Sequence, residues 1–272
     1  MNTSDYKKLL QSAIVASIKG GKEILKVYEG TVKVEYKDDR SPLTQADKNA
    51  HLTIMDGLKN TGIPVLSEEG RDIPFSERSA WSALWVVDPL DGTKEFIKRN
   101  GEFTVNIALV ENGIPTMGVI YVPVSETLYF GCNGVGGYKV DNAAAMDSGV
   151  TIEDFISKGI SLPQTQTRPF TMVGSRSHMS PETAEYFEGI KKEHSDAEII
   201  SKGSSLKICM VAEGSADVYP RFAPTMEWDT AAGHGIVRQA GFDIYQADGE
   251  TPVVYNKENL LNPWFIVKKR QV

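Results

Sequence analysis

Cysteine is scarce in this sequence. Two residues, Cys132 and Cys209, serve 272 positions, and neither lies in a C-x-x-C pair. Two lone thiols make no disulfide framework, and they suit a reducing compartment such as the cytoplasm. Long apolar runs are missing too. No stretch approaches the roughly 20 residues a membrane span requires. The N-terminal segment has no uninterrupted apolar core followed by a small-residue cleavage site, so a signal peptide is not expected. Excess positive charge is absent: 29 Lys and Arg against 36 Asp and Glu leave a net charge of -7, which argues against general nucleic-acid binding. An acidic chain that takes an anionic substrate needs local help from metal ions or helix N-termini. Internal repeats and low-complexity linkers are absent as well. The length suits one large domain or two closely packed lobes.

What is present is an alternation of elements. Residues 5–28 carry Leu9, Leu10, Ile14, Ile18, Ile24 and Leu25 near helical spacing, with lysines between them. VKVEYK (32–37) alternates like a strand, and a second helix is expected from about Thr44 to Lys59. IPVLSEEG (63–70) reads as a short buried strand ending in acids, and WVVDPL (85–90) as the next. FTVNIALVENGIPTMGVIYVP (103–123) reads as two strands joined at Glu-Asn-Gly. TLYFGCNGVGGYKV (127–140) reads as a hairpin, since no lysine–hydroxyl pair follows its glycines as a phosphate loop would need. FTMVGS (170–175) is a further strand. Ser180-Pro181 then starts a helix, with Ser180 as N-cap. SSLKICMVAEGSA is expected to be helical, DVYPRF extended, WDTAAGHGIVRQAG helical to Gly241, and PWFIVKK a final strand. The chain divides into an N-terminal α+β lobe, 1–150, and a C-terminal α/β lobe, 151–272.

The stretch Asp88-Pro89-Leu90-Asp91-Gly92-Thr93 sets two carboxylates three positions apart at a strand end. Two readings are open. Asp-Pro and Asp-Gly are ordinary turn pairs, and Asp91 would then simply cap a short helix, TKEFIK. Three other acidic places bear on the choice: Ser67-Glu68-Glu69-Gly70 after a strand, Asp47 in the second helix, and Asp229 at the expected N-cap of WDTAAG. Singly, these read as a solvated loop, an exposed helix face and a cap. Together they suit hard divalent cations, Mg²⁺ above all. Asp88 and Asp91 would bridge two ions roughly 3.5–4 Å apart, as in two-metal phosphoryl chemistry. The Leu90 carbonyl would point at the same ion, and the Gly92 and Thr93 amides would cradle a phosphate.

In order and spacing, Asp47, Glu68-Glu69, Asp88–Thr93 and Trp228–Gly233 resemble the signature of the inositol monophosphatase superfamily of Mg²⁺-dependent, Li⁺-sensitive phosphatases. Within it, Asp-Gly-Thr-Lys-Glu-Phe (91–96), Asn-Gly-Glu-Phe-Thr-Val-Asn-Ile-Ala (100–108), Gly174-Ser175-Arg176-Ser177-His178 and Gly203-Ser204-Ser205-Leu206-Lys207 are most similar to the bacterial 3'(2'),5'-bisphosphate nucleotidases of sulfur assimilation. The resemblance implies an α/β fold of α-β-α-β-α layers, with the metal site between two lobes. It implies two or three Mg²⁺ ions on Glu68, Asp88, Leu90 O, Asp91 and Asp229. It also implies that Thr93, paired with Asp47, orients the water that attacks in line, and that Glu68 is part of the catalytic set through its ion. The reaction implied is removal of the 3'-phosphate from 3'-phosphoadenosine 5'-phosphate, leaving AMP.

A second phosphate would want a cation beyond the metals. Lys94, Lys207, Arg221, Ser175 and His178 are the candidate substrate contacts, beside Leu90, Asp91, Gly92, Thr93 and Asp229. His234 reads as packing, and His51 is given no role. Two other readings remain: an inositol-1-phosphate or sugar-phosphate phosphatase with the same metal core, and a non-catalytic binding partner of the transcription machinery. The expected partner is a small nucleotide bisphosphate and not nucleic acid. Localisation is expected in the cytoplasm, with peripheral attachment to the inner membrane proposed for some relatives. The chain is compatible with a monomer or a homodimer.

Overall fold

The computed structural model describes residues 1–30, 34–36, 42–146, 149–175 and 180–270, with 34–36, 42, 43 and 175 described in backbone only. Its first helix, α1 (Thr3–Tyr28), starts where Asn2 accepts the Asp5 amide and buries Leu10, Ala13, Ile14 and Ile24. The paired strands β1 (Val34–Tyr36) and β2 (Pro42–Thr44) lead into α2 (Gln45–Leu58). The remainder of the strand expected over 32–37 lies outside the described residues.

The main sheet follows: β3 (Val65–Ser67), β4 (Ala83–Asp91), β5 (Thr104–Glu111), β6 (Ile114–Val122), β7 (Thr127–Cys132), β8 (Gly136–Val140) and β9 (Ile160–Ser161), hydrogen-bonded in that order. Only the β3–β4 pairing is parallel. The β5–β6 turn sits at Asn112-Gly113, both in the left-handed region with φ of 49° and 79°, as a two-residue hairpin demands. Strand alternation divides the side chains between two cores. Trp85, Val87, Val105, Ile107 and Leu109 pack under α1 and α2. Leu84, Val86, Ala108 and Val110 face the opposite way, against α7 (Leu206–Glu213) and α8 (Glu227–Gln239).

A smaller sheet in the order β12 (Tyr219–Arg221), β14 (Phe265–Lys269), β13 (Phe242–Gln246) covers the far side of α7 and α8. A bridge at Met172–Val218 joins it to the parallel pair β10 (Thr171–Ser175) and β11 (Glu198–Lys202). Helix α6 (Pro181–Glu193) packs Phe187 on the outside of that layer, against Met172, Val218 and Ile266. The layers therefore run helix, sheet, helix, sheet, helix, the arrangement implied by the sequence resemblance. The described residues also form three short α-helices, α3 (Phe75–Arg78), α4 (Thr93–Ile97) and α5 (Ile152–Lys158), and two 3-10 turns, Lys59–Thr61 and Ala143–Ala145.

Helix α8 is held between the two sheets with almost no side-chain spacing. A Cβ on Gly118 of β6 would lie 1.9 Å from the Ala232 carbonyl oxygen, and one on Gly235 would lie 2.5 Å from the Met117 carbonyl carbon. Glycine is needed at both positions because backbone meets backbone there.

Several elements differ from the sequence expectation. Helix α7 covers only Leu206–Glu213, because Ser204 and Ser205 are taken up by side-chain bonds from β4 and β5 and Gly214 ends it in the left-handed region at φ 84°. Helix α8 ends at Gln239 and not at Gly241. Helices α3 and α5 and strands β2, β9, β11 and β13 were not expected. Helix α5 opens on a Thr151–Asp154 capping box, a readable signal.

Candidate active site

Strand β4 carries the central acids, and an irregularity in its pairing aims them. Asp88 lies opposite Asn106 of β5, and Asp91 opposite Thr104. Three steps along β4 thus match two along β5, so one extra residue is taken up as a β-bulge between the acids. In a regular strand, positions 88 and 91 would face opposite sides of the sheet. The bulge returns Asp91 to the side of Asp88, towards α8, while Leu90 joins the core under α1 and α2. Asp88 Oδ1 accepts the Leu90 amide at 3.0 Å, which fixes the turn.

Asp229 meets them from α8. It is the third helical residue and not the N-cap: Met226 occupies that position, and Asp229 Oδ2 accepts its amide at 2.7 Å. The same carboxylate thus caps the helix and takes part in the site. One carboxylate oxygen each from Asp88, Asp91 and Asp229 come within 4.8 Å of one another. Glu68, just after β3, stands outside that trio, but its charge acts on both Asp88 and Asp229.

The electrostatics follow from this crowding. Burial first, then the charges of Glu68, Asp91, Asp229 and Asp47, push the Asp88 carboxyl well above the usual carboxylate range. Asp229 keeps a rim of solvent contact, yet burial and then Asp91 push its carboxyl up to about 8, against the pull of the Met226 amide. Such a set is costly to ionise without a cation. It consists of oxygen donors with no thiolate or imidazole, the donor type of Mg²⁺ and not of softer metals.

Metal-free protein should therefore lose stability as pH rises from about 4 to about 8. In that window the native Asp229 keeps a proton that the unfolded chain has released, so the slope is negative, up to about 1.4 kcal/mol per pH unit for each proton retained. Burial lowers the Lys207 ammonium to about 8, and it acts above that pH with the opposite sign. Thermal unfolding in EDTA from pH 5 to 8 reads the slope. Asp229→Asn should flatten it; an unchanged slope in that variant would remove Asp229 from the cause.

Asp47 is not on an exposed helix face, as its isolated reading suggested. It is 3% exposed, in the first turn of α2. Its Oδ2 accepts Thr44 N at 2.8 Å and Thr44 Oγ1 at 2.6 Å, closing a capping box. Its Oδ1 faces Thr93 Oγ1 at 3.5 Å, and Thr93 Oγ1 is also 3.5 Å from the Leu90 carbonyl oxygen. Both distances are long for O–H···O bonds. Burial raises the Asp47 carboxyl, opposed by the Thr44 bonds. Asp91 does not cap α4. Gly92 holds that position at φ 93°, and Asp91 turns instead to the loop before α7.

Asp91 and Asp229 open into a cavity of about 350 Å³ whose lining also includes Gly92, Lys94, Glu95, Lys98, Glu102, Lys202, Lys207 and Arg221. Lys207 is buried, with Nζ 2.6 Å from Ser204 O and over the Tyr219 ring. Arg221 Nη2 reaches Pro224 O at 3.4 Å, while its buried Nε has no hydrogen-bond partner. The Ser175 side chain and all of His178 lie outside the described residues. Sequence reasoning missed Lys98, Lys202, Ser204 and Ser205 as cavity residues; the last two stood in a quoted motif without a role. His234 is buried with Nε2 2.5 Å from Asp243 Oδ1 and Nδ1 3.1 Å from Tyr255 Oη, and is absent from the cavity lining. Both cysteines are free and buried, and burial raises Cys132 to about 12 and Cys209 well above the ordinary thiol range, so neither is a nucleophile.

The family pattern described as the inositol monophosphatase family matches residues 5–269, and the chain belongs to that family. The fold agrees in detail with a solved relative, CysQ from Bacteroides thetaiotaomicron, described as a bacterial member of the same family. The two are 54% identical, with a TM-score of 0.92 over 98% of this chain and 99% of that one. The 3'(2'),5'-bisphosphate nucleotidase CysQ of Salmonella typhimurium (strain LT2) is 44% identical over 95% of this chain and 99% of its own length. The protein of that name from Escherichia coli (strain K12) is 46% identical over 91% and 94%.

Proposed function

We infer that this chain is a 3'(2'),5'-bisphosphate nucleotidase, a phosphoric monoester hydrolase of sulfur metabolism. It removes the 3'-phosphate of 3'-phosphoadenosine 5'-phosphate and leaves AMP. The observation that carries this reading is the convergence of Asp88, Asp91 and Asp229, the last two lining a cavity that also holds five cationic side chains, in a chain 44% identical to a nucleotidase over almost all of both. Glu95 and Glu102 line the cavity as well, so five cations face four acids. Once metal ions neutralise the central acids, the cations that remain suit a second phosphate, which a monophosphate of a neutral sugar does not carry. The unpartnered Arg221 Nε favours the same reading, because a buried donor without an acceptor costs free energy until a ligand fills it.

The residues fit Mg²⁺. Glu68, Asp88 and Leu90 O would hold one ion, and Asp88, Asp91 and Asp229 a second; two or three ions in all suit the donor set. Bound there, Mg²⁺ neutralises phosphate charge and acidifies water. The chain's own residues do the rest. The Gly92 and Thr93 amides are directed at the phosphate oxygens. Thr93 Oγ1 accepts a proton from the attacking water while donating its own to Asp47 Oδ1, which places the water for in-line attack at phosphorus. Lys94, Lys207 and Arg221, with Ser175 and His178, are assigned to the rest of the nucleotide. No helix among the described residues is long and apolar enough to cross a membrane. The two reduced, buried thiols support a cytoplasmic location.

Initial rates on 3'-phosphoadenosine 5'-phosphate, 3'-AMP, 5'-AMP and inositol 1-phosphate test the substrate. The kcat/KM on the bisphosphate should exceed that on inositol 1-phosphate at least about tenfold, roughly 1.4 kcal/mol of transition-state binding. Equal rates, or the reverse order, would sink the nucleotidase assignment and leave the phosphatase class standing.

A further inference from the structure

One face of β5, with the residue just before the strand, grips the loop before α7. Glu102, Thr104 and Asn106 are two residues apart and so share a side. Each meets a successive residue of the loop. Glu102 Oε2 accepts the Gly203 amide at 2.8 Å, Thr104 Oγ1 lies 2.7 Å from Ser204 Oγ, and Asn106 Nδ2 donates to Ser205 Oγ at 3.0 Å. Thr104 Oγ1 is also 2.8 Å from Asn106 Oδ1, and both residues are buried.

The gripped loop is directed at Asp91. Its Oδ2 takes Ser204 Oγ at 2.5 Å, Ser205 N at 2.6 Å and Ser205 Oγ at 2.8 Å. Ser205 Oγ also lies 2.8 Å from the Asp229 carbonyl oxygen. One Asp91 oxygen is thus filled by three donors from a loop more than a hundred residues away. The carboxylate plane is thereby fixed in a residue that also brings one oxygen within 4.8 Å of those of Asp88 and Asp229. Bonds of this kind on a ligand orient it and tune its affinity for a metal.

We propose that Thr104 and Asn106 are positioning residues for metal binding: acting through Ser204 and Ser205, they hold Asp91 in the one orientation that completes the Asp88–Asp91–Asp229 set. The inference rests on the reading of Asp91 as a metal ligand. It assigns a task to the motif Asn-Gly-Glu-Phe-Thr-Val-Asn-Ile-Ala that neither the metal ligands nor the substrate contacts use.

The test uses the full chain and two measurements. Amide hydrogen exchange at Gly203 and Ser205 is read in EDTA, with no metal and no turnover. Mg²⁺ affinity is read by calorimetry without substrate. Thr104→Val removes the hydroxyl at nearly constant shape, and Asn106→Leu removes the amide. Each should speed exchange at Ser205 at least about tenfold and weaken Mg²⁺ binding about ten- to a hundredfold. The kcat at saturating Mg²⁺ should stay near that of the unaltered chain. Thr104→Ser keeps the hydroxyl and should restore both readouts. Ile107→Val, on the opposite face of the same strand, should lower thermal stability without moving Mg²⁺ affinity. Unchanged Mg²⁺ affinity in both Thr104→Val and Asn106→Leu would overturn the proposal, as would an equal loss in Ile107→Val. Should either variant fail to fold, the other decides. Asp91→Asn is the separate control: Mg²⁺ binding as tight as in the unaltered chain would overturn the ligand reading itself, and this inference with it.

Discussion

Asp47→Asn should lower kcat by roughly 10²–10⁴, the usual worth of positioned acid–base help. KM and Mg²⁺ affinity should change little, because Asp47 is not among the ligating oxygens. The fold should tolerate the change. Burial already disfavours the charge on Asp47, and an asparagine oxygen can still accept the Thr44 amide that Oδ2 now holds. What is lost is the acceptor facing Thr93, 3.5 Å away in the absence of substrate. Thr93→Ala should give a similar loss, since the backbone amide at the phosphate survives. The double variant should be barely slower than either single, as expected of groups that act as one unit. Losses that multiply would mean two independent roles. A normal kcat in Asp47→Asn would leave that residue only its capping task on α2.

Chelation should abolish activity, and Mg²⁺ should restore it. Li⁺ at millimolar concentration should inhibit, as the family relationship implies. Asp91→Asn and Asp229→Asn should each cost at least about 10³ in kcat/KM, about 4 kcal/mol of transition-state stabilisation. Both acids also have structural partners, so stability must be read alongside. Asp229 Oδ2 accepts the Met226 amide, and a residue that did nothing more would cost about 1 kcal/mol of stability on removal while kcat stayed whole. Asp91 Oδ2 holds the loop at Ser204 and Ser205. An asparagine whose oxygen takes over those bonds would present its amide nitrogen to the ion, so affinity should fall further than stability.

The sequence made local features legible and left relational ones hidden. Ser180-Pro181 announced α6, and Asn112-Gly113 announced the β5–β6 turn, because each signal acts within a few residues. The carboxylates were legible as residue types, and their order carried the family resemblance. Their geometry was not. Whether Asp88 and Asp91 face the same side depends on a register shift against β5, and register belongs to a pair of strands. The cap of α8 was misplaced for a related reason. Met226 has no capping side chain of the usual kind, and the cap comes backwards from Asp229 at the third helical position. The grip of Thr104 and Asn106 on Ser204 and Ser205 spans about a hundred residues, and nothing in either segment read alone points to the other.

The threading of α8 between the two sheets gives the protein a timetable. A chain leaves the ribosome from its N-terminus, and a packed unit completes its fold only when its last elements have been made. The seven strands of the sheet that displays Asp88 and Asp91 are all made before α8. Asp229 arrives only with α8, whose backbone must seat against Gly118 with no room for a methyl group between them. Until then the nascent chain holds two acids that repel each other and lacks the third that would close around an ion. Hydrolytic competence should thus appear only after α8 has been made, and a chain released short of α8, without Asp229, should be inert.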